Sequence, residues 1–486
     1  MSLRVAIIGG GLGGLATAVR MASRGHTVTL CEAGPTFGGK MNRWQTDGYT
    51  FDTGPSLITM PDVFRETFEA AGERIEDHLE LVRLDPVAEY VWPDGTRFEH
   101  STNLPHWLDV IRSIEPRDVD GFLRFMELGA RLFELSSETF LRRGMDQPPD
   151  WRTFKALRHV PLRHAWGNYD KAVRSFFHSP YLRQMFNRYP TYVGSSPYRS
   201  PATLLVIPYL EQAFGGWFVK GGLYRIVESL VQIARTKGVE MLADAPVERI
   251  GQENGRVKSV HIADGRNVSA DVVVMNGDAS LLPKLLGTGI GELEPKARSM
   301  SGFLTLAAMR DDMPDLHHHT VCFSADYERE FKQIFDDNQF PDDPTVYINA
   351  PSRSDRSVVP DGGETLFIMA NTPARSGPWD EAMTSTAWER VLGRVARSGL
   401  PDLRDGAVAL DHWTPQRIGN RYRMPGGAIY GKHSHGWKNA FLRPANRQRK
   451  RGLYLVGGSS HPGGGTPTVL LSAKITTNLI EKHESA

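Results

Sequence analysis

Cysteine is nearly absent: only Cys31 and Cys322 occur in 486 residues. Two thiols are too few for a disulfide scaffold or a zinc cluster, and reduced thiols of a cytosolic protein are the expectation. Long hydrophobic runs are missing too. No uninterrupted apolar stretch approaches the roughly 20 residues that cross a bilayer, so a soluble or monotopic protein is expected. Excess charge of one sign is also lacking. Lys and Arg total 57 against 56 Asp and Glu, a net charge of +1, which leaves no global electrostatic case for nucleic acid. No internal repeat or low-complexity tract is visible, and no secretory signal is expected, because the first apolar run already belongs to the motif described next. The length allows two or three domains.

Glycine, by contrast, is abundant, with 48 residues, and its placement is informative. Residues 5–8 form a short apolar run that reads as a buried parallel strand. Gly9, Gly11 and Gly14 follow with the spacing G-x-G-x-x-G. The first makes a tight turn, the second lets backbone approach a pyrophosphate, and the third lets a helix pack on the sheet. Residues 12–24 read as that helix, closed by Gly25. A second strand, 27–31, ends in Glu32, the acidic position expected to bind a free ribose rather than a 2′-phosphate. Strand, turn, helix, strand and acid in order predict a dinucleotide site.

Phe37-Gly38-Gly39-Lys40 and Phe51-Asp52-Thr53-Gly54-Pro55 come next. The paired glycines free backbone amides for a diphosphate, and the lysine offsets its charge. Asp52 is read only as a turn residue. Residues 118–143 carry Phe122, Phe125, Leu128, Leu132 and Phe133 at helical spacing, a stripe expected to pack into a second domain. Residues 142–174 are basic with interleaved aromatics, such as Trp151, Trp166 and Tyr169. That pattern fits either a solvated helical face or a membrane-interface segment. Further on, residues 223–236 read as a helix, 239–242 as a strand, and Asn254-Gly255 and Asp264-Gly265 as hairpin turns. The strand 271–275 returns the chain to the nucleotide-binding sheet. His317-His318-His319 resembles a metal cluster, but successive strand residues face opposite ways, so no metal is expected.

The C-terminal stretch 452–479 reads as strand, glycine-rich turn and helix, with Pro467 in the helix's first turn. A second helix N-terminus is thereby aimed at a ligand, suited to negative charge on a reduced flavin. Its sequence, Gly457-Gly458-Ser459-Ser460-His461-Pro462-Gly463-Gly464-Gly465-Thr466-Pro467, resembles the C-terminal box of bacterial carotenoid desaturases of the phytoene desaturase type. With the two N-terminal glycine runs, the resemblance covers essentially the whole chain. The run from Arg188 to Tyr198 is more similar to the hydroxycarotenoid 3,4-desaturase branch.

The resemblance implies an α/β fold: a discontinuous Rossmann-type FAD-binding domain interleaved with a β-sheet-plus-helix substrate domain and a helical lid. The FAD-binding parts are expected at 1–75, 215–285 and 441–486. The substrate domain, with a membrane-associated lid, is expected at 76–214 and 286–440. It further implies that FAD is held by Gly9, Gly11, Gly13, Gly14, Glu32, Gly38, Gly39, Lys40, Gly54, Pro55, Val247, Gly457, Gly458, Thr466, Pro467, Thr468 and Val469. Val247 would contact the adenine through its backbone. Lys40 stands where arginine is commoner, which keeps the charge but weakens bidentate phosphate contact. Of an Asp and Arg pair proposed for the family's acid/base chemistry, Arg158 matches the arginine and no aspartate aligns. The implied activity is desaturation of a carotenoid or phytoene taken from the membrane, with hydride passing to flavin N5 and oxygen or a quinone as electron acceptor. The implied location is cytoplasmic, on the inner face of the membrane. A carotenoid cis-trans isomerase, an end-group oxygenase and an amine oxidase are the competing activities on the same scaffold.

Overall fold

The strand Arg4–Ile8 lies at the centre of a five-stranded sheet whose pairings are all parallel. The computed structural model describes residues 2–145, 167–313 and 316–484. Across the sheet the order is Leu453–Leu455, Val272–Met275, Arg4–Ile8, Thr27–Cys31 and Glu240–Leu242. Three distant stretches of chain thus build one sheet. Val272–Met275 is buried throughout, as a central strand of a parallel sheet covered on both faces must be. On one face, helix Leu12–Ser23 packs against helices Tyr224–Thr236 and Thr466–Glu484. On the other lies a small antiparallel sheet, Val247–Glu253, Arg256–Ile262 and Asn267–Ser269. Its Val257 and Ile262 share a core with Ala6 and Val273.

A second, seven-stranded sheet carries the other half of the molecule. Its order is Ala407–Trp413, Ser301–Met309, Glu364–Thr372, Val346–Asn349, His319–Cys322, Ala88–Val91 and Arg97–His100. The pairing of His319–Cys322 with Ala88–Val91 is parallel and the others are antiparallel. Helices Asp118–Ser136, Tyr169–Phe176, Pro180–Asn187 and Val206–Phe214 bury an aromatic core beside it, in which the Phe125 ring meets those of Phe176, Phe177 and Phe186.

The stripe read at 118–143 buries Phe122, Phe125, Leu128 and Leu132 as expected. The regular helix ends at Ser136, and Ser137–Leu141 continues as a wider turn. There Ser136 Oγ and Thr139 Oγ1 donate to the carbonyls of Phe133 and Leu135, competing with the backbone ladder. Most of the basic, aromatic segment at 142–174, including Arg158, lies outside the described residues. Among the described residues no helix is long and apolar enough to cross a membrane.

Candidate flavin and substrate site

One cavity of about 1600 Å³ runs between the two sheets. A pocket for one small molecule occupies roughly 300–1,000 Å³, so there is room here for a cofactor and a substrate together. The cofactor end lies at the carboxyl ends of the parallel strands, where ligands of open α/β sheets bind.

Of the residues expected to hold FAD, all but Gly14 line this cavity. Gly14 does the packing expected of it: a Cβ there would come within 2.1 Å of the Gly9 carbonyl oxygen. Helix Leu12–Ser23 begins at Gly11 without a side-chain cap. Its first-turn N–H groups have no partner within the helix, and Leu12 and Gly13 face the cavity. The second glycine run is laid directly against the first, with Gly38 N donating to Gly10 O at 2.8 Å. At the chain's other end, Thr466–Thr468 open a second helix onto the same space. A Cβ at Gly458 would meet protein no closer than 3.4 Å.

Glu32 stands at the end of its strand and accepts N–H bonds from Gly10 (2.7 Å) and Gly34 (2.8 Å). Val247 opens the first strand of the small sheet and borders the cavity beside Glu248. Lys40 lines the cavity, but its ammonium donates to the Ile429 carbonyl. Burial lowers its pKa, opposed by the charge of Asp278.

The glycine pattern does not single out three residues that the fold brings here. Asn276 Nδ2 donates to Gly9 O at 3.1 Å and ties two strand ends together. Asp278 is buried; its Oδ1 accepts from Ser280, while its Oδ2 has no partner among the described residues. Asp278 is among the residues that line the cavity. Arg443 also borders it, and burial depresses its guanidinium to about 10, again opposed by Asp278. A polar residue just past the end of a parallel strand is the one signal that would have found Asn276 and Asp278 in the sequence. The open helix ends, the glycine cradle and the Glu32 carboxylate fit a flavin dinucleotide.

Asp52, read as a turn residue, caps helix Tyr224–Thr236 by accepting from Leu223 and Tyr224 N–H. His318 Nδ1 pairs with Ser354 Oγ and His319 Nδ1 with the Val87 carbonyl. Burial pushes the His319 imidazole down to about 4.

Beyond the glycines the wall becomes apolar. Leu132 and Leu135 come from the long helix, Leu204, Ile207 and Leu210 from the segment around Val206–Phe214, and Leu304, Phe367 and Met369 from the large sheet. Ile290 and Trp437 line the cavity and are exposed, as are Lys284, Arg421 and Arg423.

Comparison with known proteins agrees with this arrangement. Residues 12–480 match the family model of flavin containing amine oxidoreductases. The chain is 33% identical to a 4,4'-diapolycopene oxygenase of Methylomonas sp, over 98% of both chains. It is 34% identical to a zeta-carotene-forming phytoene desaturase of Myxococcus xanthus, over 98% of this chain and 93% of the other. An oxidoreductase of Methanosarcina mazei superposes with a TM-score of 0.63 at 15% identity, covering 98% of this chain and all (100%) of the other. That last likeness is one of fold. The chain belongs to the flavin containing amine oxidoreductase family and is a flavin-dependent oxidoreductase.

Proposed function

We propose that this protein is an FAD-dependent carotenoid desaturase that introduces C=C bonds into a membrane-dissolved polyene. The observation that carries this reading is the single cavity in which a dinucleotide cradle opens directly into a long apolar wall. Glu32 would hold the ribose hydroxyls, and the helix ends at Leu12 and Thr466 would face the charged part of the cofactor. Bound there, the flavin supplies the hydride acceptor. The chain's own tasks are orientation and exclusion of water, which Leu132, Leu135, Leu304, Phe367 and Met369 perform by enclosing the polyene. As the hydride leaves one carbon, the neighbouring carbon must give up a proton to complete the C=C bond; the conjugated cation is acidic enough that water would accept it, so a dedicated base is not required. Arg158 stays a candidate for acid/base work.

The substrate's insolubility supports membrane association. Freeing a polyene of about forty carbons into water would cost on the order of 30 kcal/mol at ~0.8 kcal/mol per buried CH₂. The exposed Ile290 and Trp437 and the cations Lys284, Arg421 and Arg423, all lining the cavity, would suit docking on an anionic inner leaflet. Oxygen or a quinone would take the electrons.

The test is mass-resolved pigment analysis of phytoene-accumulating cells expressing the chain. Products lighter by successive pairs of hydrogens support desaturation. Unchanged phytoene beside flavin-loaded protein rules out action at the first step. End-group oxygenation is the second reading, because one of the two relatives of near-equal identity is named an oxygenase. Products heavier by oxygen would establish it.

A further inference from the structure

Among the described residues that line the cavity, Arg188 brings a charge to its apolar wall. Arg188 lies between helix Pro180–Asn187 and the turn Tyr189–Val193 and borders the cavity with Tyr192 and Tyr347. Its Nη1 donates to Tyr192 Oη at 2.9 Å. The guanidinium is flanked by the rings of Tyr192 and Tyr347, at 5.1 and 5.3 Å from their centroids. Tyr347 Oη is itself held by Ser56 Oγ at 2.5 Å. The counter-charge is reached indirectly: Tyr192 Oη donates to Glu211 Oε2 at 3.1 Å, and Tyr189 Oη to Oε1 at 2.6 Å. The cation is therefore fixed in place.

A hydrocarbon polyene offers this group nothing. A guanidinium carries five N–H donors, and closing the cavity around C–H groups would strip water from those facing it without replacing the bonds. The positive charge also repels the cation that develops as a hydride leaves carbon, so the reacting carbon should stand away from Arg188. An oxygen on the polyene resolves both conflicts, since it accepts from the guanidinium and places the reacting bond further along the chain.

We propose that Arg188, oriented by Tyr192 and Tyr347, is a specificity-determining residue that binds a hydroxyl or carbonyl oxygen on the polyene substrate. The proposal rests on the polyene reading above and names the substrate class within it.

The test uses two polyenes that differ only by a terminal hydroxyl, with flavin-loaded wild type, Arg188→Met and Arg188→Lys. Binding is followed by the polyene's absorption band and turnover by kcat/KM. Wild type is expected to bind and desaturate the hydroxylated polyene at least about 100-fold better, as sites built to hydrogen-bond a substrate oxygen do. Arg188→Met should bring that ratio close to 1, and Arg188→Lys should fall between. Equal treatment of the two polyenes by wild type overturns the proposal, whatever the variants do. So does an equal loss on both polyenes in Arg188→Met at unchanged flavin content. If flavin-loaded wild type desaturates neither polyene, the desaturase reading itself fails. If it turns over both without preference, only the role of Arg188 does.

Discussion

The Asp52 carboxylate accepts the backbone N–H of Leu223 at 2.7 Å across 171 residues of sequence. Its other oxygen takes the next amide, Tyr224 N, at 3.0 Å. One side chain at the end of the hairpin Arg43–Thr46 and Tyr49–Asp52 thus satisfies the start of helix Tyr224–Thr236. That helix packs against Leu12–Ser23, and Tyr224 Oη reaches the Phe37 carbonyl beside the second glycine run. The cap holds two parts of the cofactor end together.

Replacing this cap should weaken the fold without touching the cavity's apolar wall. Asp52→Ala is expected to cost about 1–2 kcal/mol, the usual penalty for a lost helix cap. Asp52→Asn, which keeps an acceptor, should cost less. Urea unfolding of the purified proteins measures both, and equal midpoints for wild type and Asp52→Ala would refute the structural role.

A buried acid elsewhere sets a pH dependence of stability. Glu330 Oε2 accepts from Ser324 Oγ and Thr345 Oγ1, both at 2.7 Å, and burial raises the carboxyl to about 7. An unfolded glutamate titrates near ~4.3, so the native state holds the proton more tightly. The stability this contributes is complete at pH values below the unfolded pKa and is lost as pH rises through about 7. Glu330→Gln stays neutral throughout. Its melting temperature relative to wild type should therefore climb as pH rises from about 4 to about 7 and level off above that. A constant difference would show that Glu330 is ionised in the native state.

Two glycines of the same run, three positions apart, should fail in different ways. At Gly14 an added Cβ would lie 2.1 Å from the Gly9 carbonyl, whereas at Gly11 its nearest protein neighbour is Asn276 Nδ2 at 3.1 Å. Gly14→Ala is expected to destabilise the fold. Gly11→Val is expected to fold, with small adjustment at Asn276, and to purify without flavin. Circular dichroism and flavin absorbance separate the two; a flavin-loaded Gly11→Val protein would move the cofactor away from this turn.

Glu32→Gln removes a charge while keeping the shape. Hydrogen bonds to a charged group contribute about 1.5–3 kcal/mol, so flavin affinity should fall about 10- to 100-fold. Titration of flavin-free protein with FAD and with FMN checks this. FMN lacks the adenosine ribose and should be insensitive to the change.

The dinucleotide half was legible because its determinants are local. A tight turn, a close backbone approach and an acid at a strand's end each need one residue type at one spacing, so residues 4–40 declare them in order. The C-terminal strand and helix were legible on the same grounds. The substrate half was not. Leu135, Ile207 and Phe367 come from separate elements, and a leucine in a helical stripe looks the same whether it meets a core or a cavity. Asp52 shows the same limit: its partner amides lie 171 and 172 residues away.

From the sequence alone came the βαβ nucleotide fingerprint, the second glycine run, the C-terminal helix start and the family they resemble. Only the tertiary structure decided that sixteen of the seventeen expected cofactor residues share one cavity, that Asp278 lies buried beside it, and that Arg188 stands within its apolar wall. The reason is physical. Backbone geometry is written in neighbouring residues, whereas the environment of a side chain is set by whatever distant segments fold around it.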